Sequence, residues 1–348
     1  MDISNKLNDI KTIKKILIII VVTLIFYLLK ILSFIFIPLV FASLIAMLFM
    51  PLMRWLFKHK VPKILSILIV IIIIAGGLKI TGKLVQLSSK EIMSSRIEFW
   101  DKASPKLNKI IIPVGNFFGF ESNSKTLNDF THSKEVTQTI YKNFGTTFSF
   151  VKRTISMTVM IVFFLILLLA GSLNIQRVME STVFKKKYAS VKTFIVIEKS
   201  VAKFLKVKLI LSLLTGIGFG ILCFLFGVSF PIFWGLIAFA INFIQLLGSI
   251  VATTSLSLFA FVEMDSSSTL LFFILSIIAV QVLFGAILEP IFMGKSFSIN
   301  IITVLVMLML WGYIWGIPGM ILSIPITVFV KTILEQFPST KIVSNLMS

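Results

Sequence analysis

Residues 287–331 read ILEPIFMGKSFSINIITVLVMLMLWGYIWGIPGMILSIPITVFVK, an apolar stretch broken at its centre by WGYIWGIPGM. Lipid offers a freed N–H or C=O no hydrogen-bond partner. A Gly/Pro break inside an apolar stretch therefore persists only where protein or a water-lined cavity surrounds it. Interrupted helices of this kind let secondary transporters build a solute site near mid-membrane. The stretch predicts a membrane protein with one deliberately broken span, and it places transport at that break.

The remaining chain fits this reading. It has 348 residues, 57% of them hydrophobic and only 14% charged, with a mean hydropathy of +1.05. A soluble domain cannot hide so much apolar surface, so the predicted fold class is an all-α polytopic membrane protein. The first apolar run, residues 16–37, follows Lys11, Lys14 and Lys15. It is too long for the apolar core of a signal peptide and has no small-residue cleavage site, so it reads as a retained span. The single cysteine, Cys223, lies within an apolar run and reads as a packed thiol. The net charge of +19 would point to nucleic acid in a soluble protein. Here the lysines flank apolar runs, where they meet anionic lipid, and no nucleic-acid motif accompanies them; the expected partner is the bilayer.

At ~20 apolar residues per crossing, about eight spans are expected. They are residues 16–37, 39–57, 64–78, 156–173, 209–227, 231–262, 268–288 and 300–331, with Pro38 and the Pro62 region dividing the first three. Basic clusters before the first span, between the second and third (Arg54, Lys58, Lys60, Lys63) and over residues 177–208 fall on one side if both termini are cytoplasmic. Residues 231–262 and 300–331 exceed one crossing, so each is a tilted helix or a re-entrant, broken hairpin, and we favour the second. The resulting regions are a three-span segment (1–78), a polar helical arm outside the membrane (79–153), and a fourth span with a basic amphipathic helix (154–208). A transport core with interrupted helices (209–335) and a tail (336–348) follow.

Within the arm, Val136, Ile140, Phe144, Phe148 and Val151 recur at helical spacing, while Pro105 and Pro113, with GNFFGFESNSK (115–125), mark its tip. Lysines on one face of residues 177–208, with Phe184, Tyr188, Val191, Ile195 and Leu205 on the other, fit a helix in the lipid interface.

None of the 14 acidic residues lies at the centre of an apolar span. Glu263, Asp265 and Glu289 sit at span ends and are the acids available for ion coupling. Glu289 is the best placed, with an interfacial pair to Lys295 as its structural alternative. Asn242, Gln245 and Gln281 are amides within apolar runs, suited to orienting a polar solute or to holding helices together. Ser212, Gly216 and Gly220 form a small-residue face, as do Gly312 and Gly316, and both fit close helix packing. Gly316, Pro318 and Gly319 instead permit a chain break. Trp311, Tyr313 and Trp315 fit an interfacial belt, with cavity lining the alternative. His59 and His132 are isolated, with no cofactor- or metal-binding spacing around them, and no Walker or dinucleotide motif occurs, so no enzyme is indicated.

FLKVKLILSLLTGIGFG (204–220), FGV (226–228) before Pro231, INFIQLLG (241–248), QVLFGAILEPIFMGK (281–295) and the segment 311–331 together resemble the autoinducer-2 exporter (AI-2E) family of permeases. The family's NxIPxxGP pattern is kept at Asn242, Ile244 and Gly248, with Gln245 and Ser249 in place of its prolines. The resemblance implies an eight-span bacterial inner-membrane permease that forms a homo-oligomer, a pentamer being the candidate count. It also implies either export of the signal autoinducer-2 or sodium(lithium)/proton antiport. The expected cargo is thus a small polar solute or a monovalent cation. Its expected path is formed by Asn242, Gln245, Gln281, Glu289, Lys295, Trp311, Gly312, Gly316, Pro318 and Gly319. A scaffold that transports nothing is the remaining alternative, and the broken span argues against it.

Overall fold

Leu32 interrupts the first long apolar helix: α1 (Ile3–Ile31) ends there and α2 (Ser33–Lys58) begins one residue later. The break was expected at Pro38, which instead lies within α2, as does Pro51. A membrane helix absorbs a proline by local adjustment around the one lost hydrogen bond, so proline alone does not end it. The structure, a computed structural model, describes residues 3–117, 156–171, 187–244, 247–294, 299–335 and 340–347, and no strand occurs among them.

α3 (Lys63–Phe117) starts just after Pro62 and runs for 55 residues. It therefore continues well past the third span into the polar region, and it does so through Pro105 and Pro113. The helix passes through both prolines, and the rest of the expected tip, residues 118–125, lies outside the described residues. The helix expected over residues 136–151, His132 and residues 177–186 lie outside the described residues. α4 (Ser156–Gly171) and α5 (Lys187–Leu225) follow. In α5 the basic amphipathic stretch and the fifth span are one continuous helix of 39 residues. Then come α6 (Pro231–Ile241), α7 (Leu247–Glu263), α8 (Ser267–Gln281), a π-helical segment (Val282–Leu288) and α9 (Glu289–Met293). The chain ends in α10 (Ile301–Trp315), α11 (Ile317–Glu335) and α12 (Lys341–Leu346).

Six of the described helices are long and apolar enough to cross a membrane. Many large apolar side chains point outward, and the span within α1 has none of its residues buried. Such a surface is solvated by lipid, where helix association rests on close packing.

The fold divides into two compact units. One comprises Met1–Met47, Met157–Glu198 and Ile299–Ser348. Its centre is a hairpin of α10 and α11, turned at Gly316, whose φ of 65° and ψ of −144° suit only glycine. Pro318 falls in the first turn of α11, where its missing N–H leaves no gap. Gly319 rests on the first arm so closely that a Cβ would come within 1.9 Å of the Trp311 carbonyl oxygen. Trp315 Nε1 donates to Leu29 O of α1 at 2.9 Å, and Lys30 Nζ sits 3.9 Å from the centre of the Tyr313 ring. At the open end, Asn300 N donates to Met347 O at 2.9 Å.

The other unit comprises Leu48–Ser156 and Lys199–Ser298. Here α6 and α7 form a second hairpin, with arms of 11 and 17 residues. At 1.5 Å per residue the first arm extends ~16 Å, short of a ~30 Å hydrocarbon core. At its tip, a Cβ on Gly248 would come within 2.0 Å of Ile241 O. At its base, the Glu263 carboxylate accepts from Ser229 N at 2.9 Å and from Ser229 Oγ, while Glu91 of α3 accepts from the backbone of Ile232 and Phe233. The small-residue face of α5 receives α6 edge to edge: a Cβ on Gly216 would lie 2.6 Å from Gly235 O. Phe219, Trp234, Leu256, Phe273 and Ile277 belong to the core of α5 to α8.

Candidate functional site

Lys208 heads the small-residue face of α5, one turn before Ser212. The sequence puts it on the basic face at the end of the amphipathic stretch 177–208, but it is only 3% exposed. Its Nζ bonds both carboxylate oxygens of Glu289, which is 6% exposed. Two charges buried in an apolar bundle persist because each satisfies the other, and ionisable groups in such positions mark solute or ion pathways. Lys295, the partner weighed from sequence, lies outside the described residues, as does Gln245.

Glu289 reaches Lys208 because the helix carrying it is widened. Over Val282–Leu288 the backbone is π-helical, and the Glu289 N–H bonds Phe284 O, five residues back. Pro290 supplies a physical reason. It has no N–H, and in an α register its ring would press on the Ala286 carbonyl. Widened turns of this kind recur at functional sites.

Two amides complete the polar set. Asn242, at the C-terminal end of α6, donates from Nδ2 to Ser212 Oγ at 3.0 Å, and its Oδ1 accepts from Gln281 Nε2 at 3.5 Å. The hydrogen-bonding role weighed for Asn242 is thus present, joining α5, α6 and α8. Gln281 Oε1 is buried with no hydrogen-bond partner among the described residues. These groups open onto a cavity of about 220 Å3 lined by Lys208, Asn242, Ser249, Gln281, Val282, Gly285, Ala286 and Glu289. The cavity offers one unused acceptor, an ion pair and amide groups within an apolar bundle. A larger groove of about 610 Å3 between α3, α5 and α6 is lined by apolar side chains and glycines. Its one hydroxyl, on Thr81, already bonds Gly77 O, so it has little with which to orient a polar solute.

Of the residues singled out from sequence, the structure brings Asn242, Gln281 and Glu289 together. Trp311, Gly312, Gly316, Pro318 and Gly319 gather instead at the tip of the α10–α11 hairpin, in the other unit. Glu263 is engaged by Ser229, and Asp265 pairs with Lys106 of α3 at 3.0 Å; neither lines the cavity. Lys208, Ser212 and Ser249 escaped notice as site residues. The available signal was that Lys208, Ser212, Gly216 and Gly220 recur every four residues, which puts the lysine on the packed face of its helix.

Residues 16–339 match the description AI-2E family transporter. The chain belongs to this family. As an AI-2E transporter it is a multi-pass membrane protein, and the resemblance read from its motifs holds over nearly its whole length. It is 26% identical over 310 residues to a Borreliella burgdorferi protein provisionally named as a transport protein, spanning 88% of this chain and 83% of that one. AI-2 transport protein TqsA of Escherichia coli is 25% identical over 317 residues, 90% of this chain and 89% of its own. A Haemophilus influenzae protein, also provisionally named for transport, is 33% identical over 142 residues, 41% of this chain and 40% of its own.

Proposed function

We propose that this AI-2E transporter moves a small polar solute through the cavity between α5, the α6–α7 tip and the π segment, with autoinducer-2 as the leading candidate. The observation that carries the reading is the buried Lys208–Glu289 pair opening onto a cavity where Gln281 Oε1 lacks a partner. An unused acceptor favours a cargo with hydroxyl donors, and the name of the Escherichia coli relative TqsA supports the same choice. Asn242 and Gln281 orient the solute, and the ion pair supplies the charge that it displaces or screens.

The hairpins are compatible with the membrane map read from the charges, as two single crossings would also be. If α6–α7 and α10–α11 each enter and leave on one face, both termini and all three basic clusters lie on the cytoplasmic side of a bacterial inner membrane. The homo-oligomer rests on the family resemblance. Sodium(lithium)/proton exchange is the second reading, and it has the buried Glu289 carboxylate in its favour.

Vesicles containing the purified protein, supplied separately with labelled autoinducer-2, sodium and lithium, test the proposal. Autoinducer-2 flux should fall by about tenfold in Asn242→Ala and Gln281→Ala variants that still insert. Parent-level flux in both would remove the cavity from the path.

A further inference from the structure

The π segment connects two helices that are each held by buried side chains. Upstream, α8 packs Phe273 and Ile277 into the core. Downstream, Glu289 and Met293 are buried in α9. Between them no residue of Val282–Leu288 is fully buried, and only Phe284, Gly285 and Leu288 are half-buried, so fewer packed side chains oppose a change of register there. The segment also holds one residue more per hydrogen-bonded turn than an α-helix does. If the Glu289 N–H exchanges Phe284 O for the α-type acceptor Gly285 O, the surplus residue passes up the chain. Glu289 then turns about the helix axis by ~100°, one residue's share of a 3.6-residue turn. Lys208, fixed on α5, does not follow, and the ion pair opens. The rotation ends within a turn, because α9 has five residues and stops at Gly294, whose φ is 73°. Lys203 Nζ caps that end by donating to Met293 O at 3.0 Å.

We infer that Val282–Leu288 is a register switch that makes and breaks the Lys208–Glu289 pair, and so opens and closes the solute cavity. Gly285, Ala286 and Val282 line that cavity, so the same shift remodels its wall. Gly285 suits the position: a Cβ there would meet Gln281 Nε2 at 3.1 Å. Pro290 biases the switch toward the paired state, because its ring disfavours the α register at Ala286. The inference rests on the solute-path reading given above for the meaning of opening, but not for the motion itself.

Two full-length variants test it, in a Cys223→Ser background. Deletion of Leu283, which is exposed, removes the surplus residue while keeping the register of Glu289 toward Lys208. Vesicle flux of labelled autoinducer-2 should drop about tenfold. Cross-linking between Lys208→Cys and Glu289→Cys, read in parallel in that deletion, should stay within about twofold of its level without the deletion. Pro290→Ala frees the α register, so the same cross-link should form about threefold less. Parent-level flux in an inserted deletion variant, or unchanged cross-linking in Pro290→Ala, would overturn the switch. The cross-link needs no substrate, so Pro290→Ala decides alone if the deletion variant fails to insert or the parent carries no autoinducer-2. Loss of flux in Asn242→Ala beside normal flux in the deletion variant would leave the path standing and remove only the switch.

Discussion

Lys208 Nζ lies 3.1 and 3.0 Å from the two carboxylate oxygens of Glu289, 81 positions away in the chain, and both side chains are almost fully enclosed. Removing one partner strands the other charge in an apolar bundle, so Lys208→Met or Glu289→Leu alone should destabilise the protein by ~3–5 kcal/mol. The double variant buries no charge and should recover most of that loss. Thermal unfolding in detergent, run as a double-mutant cycle, checks this. Flux should remain absent in the double variant, which separates a transport role from a packing role.

The α5–α6 crossing depends on glycine at particular positions. Ala at Gly216 or Gly235 would put a Cβ 2.6 or 2.8 Å from the facing backbone oxygen, and backbone cannot swing aside. Gly216→Ala and Gly235→Ala should each cost ~1–3 kcal/mol by overpacking. Gly76→Ala and Gly82→Ala meet nothing within 4 Å and should stay within ~1 kcal/mol of the parent. Melting temperatures of the four variants give the comparison, and equal losses at all four would contradict the crossing geometry.

Legibility followed how locally each feature is encoded. Gly316 and Pro318 announce a break through their own backbone chemistry, and both long apolar segments are indeed hairpins. Asn242, Gln281 and Glu289 stood out as polar groups where polarity is costly. Lys208 did not, because a lysine next to an apolar run looks the same whether it snorkels to the interface or turns inward. Only its i+4 and i+8 relations to Ser212 and Gly216 tell the two apart. The interruption at Leu32 has no Gly or Pro signature, whereas Pro38, Pro105 and Pro113 have one and are carried within helices. The π segment is equally quiet, since π and α share nearly the same local pattern; the one hint is Gly285 five residues before Pro290.

At the tip of the α10–α11 hairpin, Gly316 adopts a positive φ that a Cβ makes unfavourable, and Trp315 anchors the same turn to Leu29 O. Gly316→Ala should cost ~1–3 kcal/mol from backbone strain. Trp315→Phe keeps an aromatic ring but loses the N–H and part of a buried side chain, and should cost ~1–2 kcal/mol. Gly319→Ala, facing the Trp311 carbonyl, should be the most damaging of the three. Ranking the melting temperatures of the three variants tests this order. A Gly319→Ala variant as stable as Trp315→Phe would mean that the two arms do not approach this closely.

The three acids weighed for ion coupling now separate by environment. Asp265 has a side chain 92% exposed and pairs with Lys106, an arrangement worth ~0–1 kcal/mol, so Asp265→Asn should change neither stability nor transport measurably. Glu263 holds the base of the α6–α7 hairpin through Ser229; Glu263→Gln should lower stability by ~1–3 kcal/mol and affect flux only through folding. Glu289 alone faces the cavity with a carboxylate. If sodium or lithium drives proton movement through this protein, a pH-sensitive dye inside vesicles should respond on cation addition. The response should survive Asp265→Asn and Glu263→Gln together and vanish in Glu289→Gln. A response that persists in Glu289→Gln would place coupling outside the cavity, whereas no cation response in the parent would leave neutral-solute export as the function of the site.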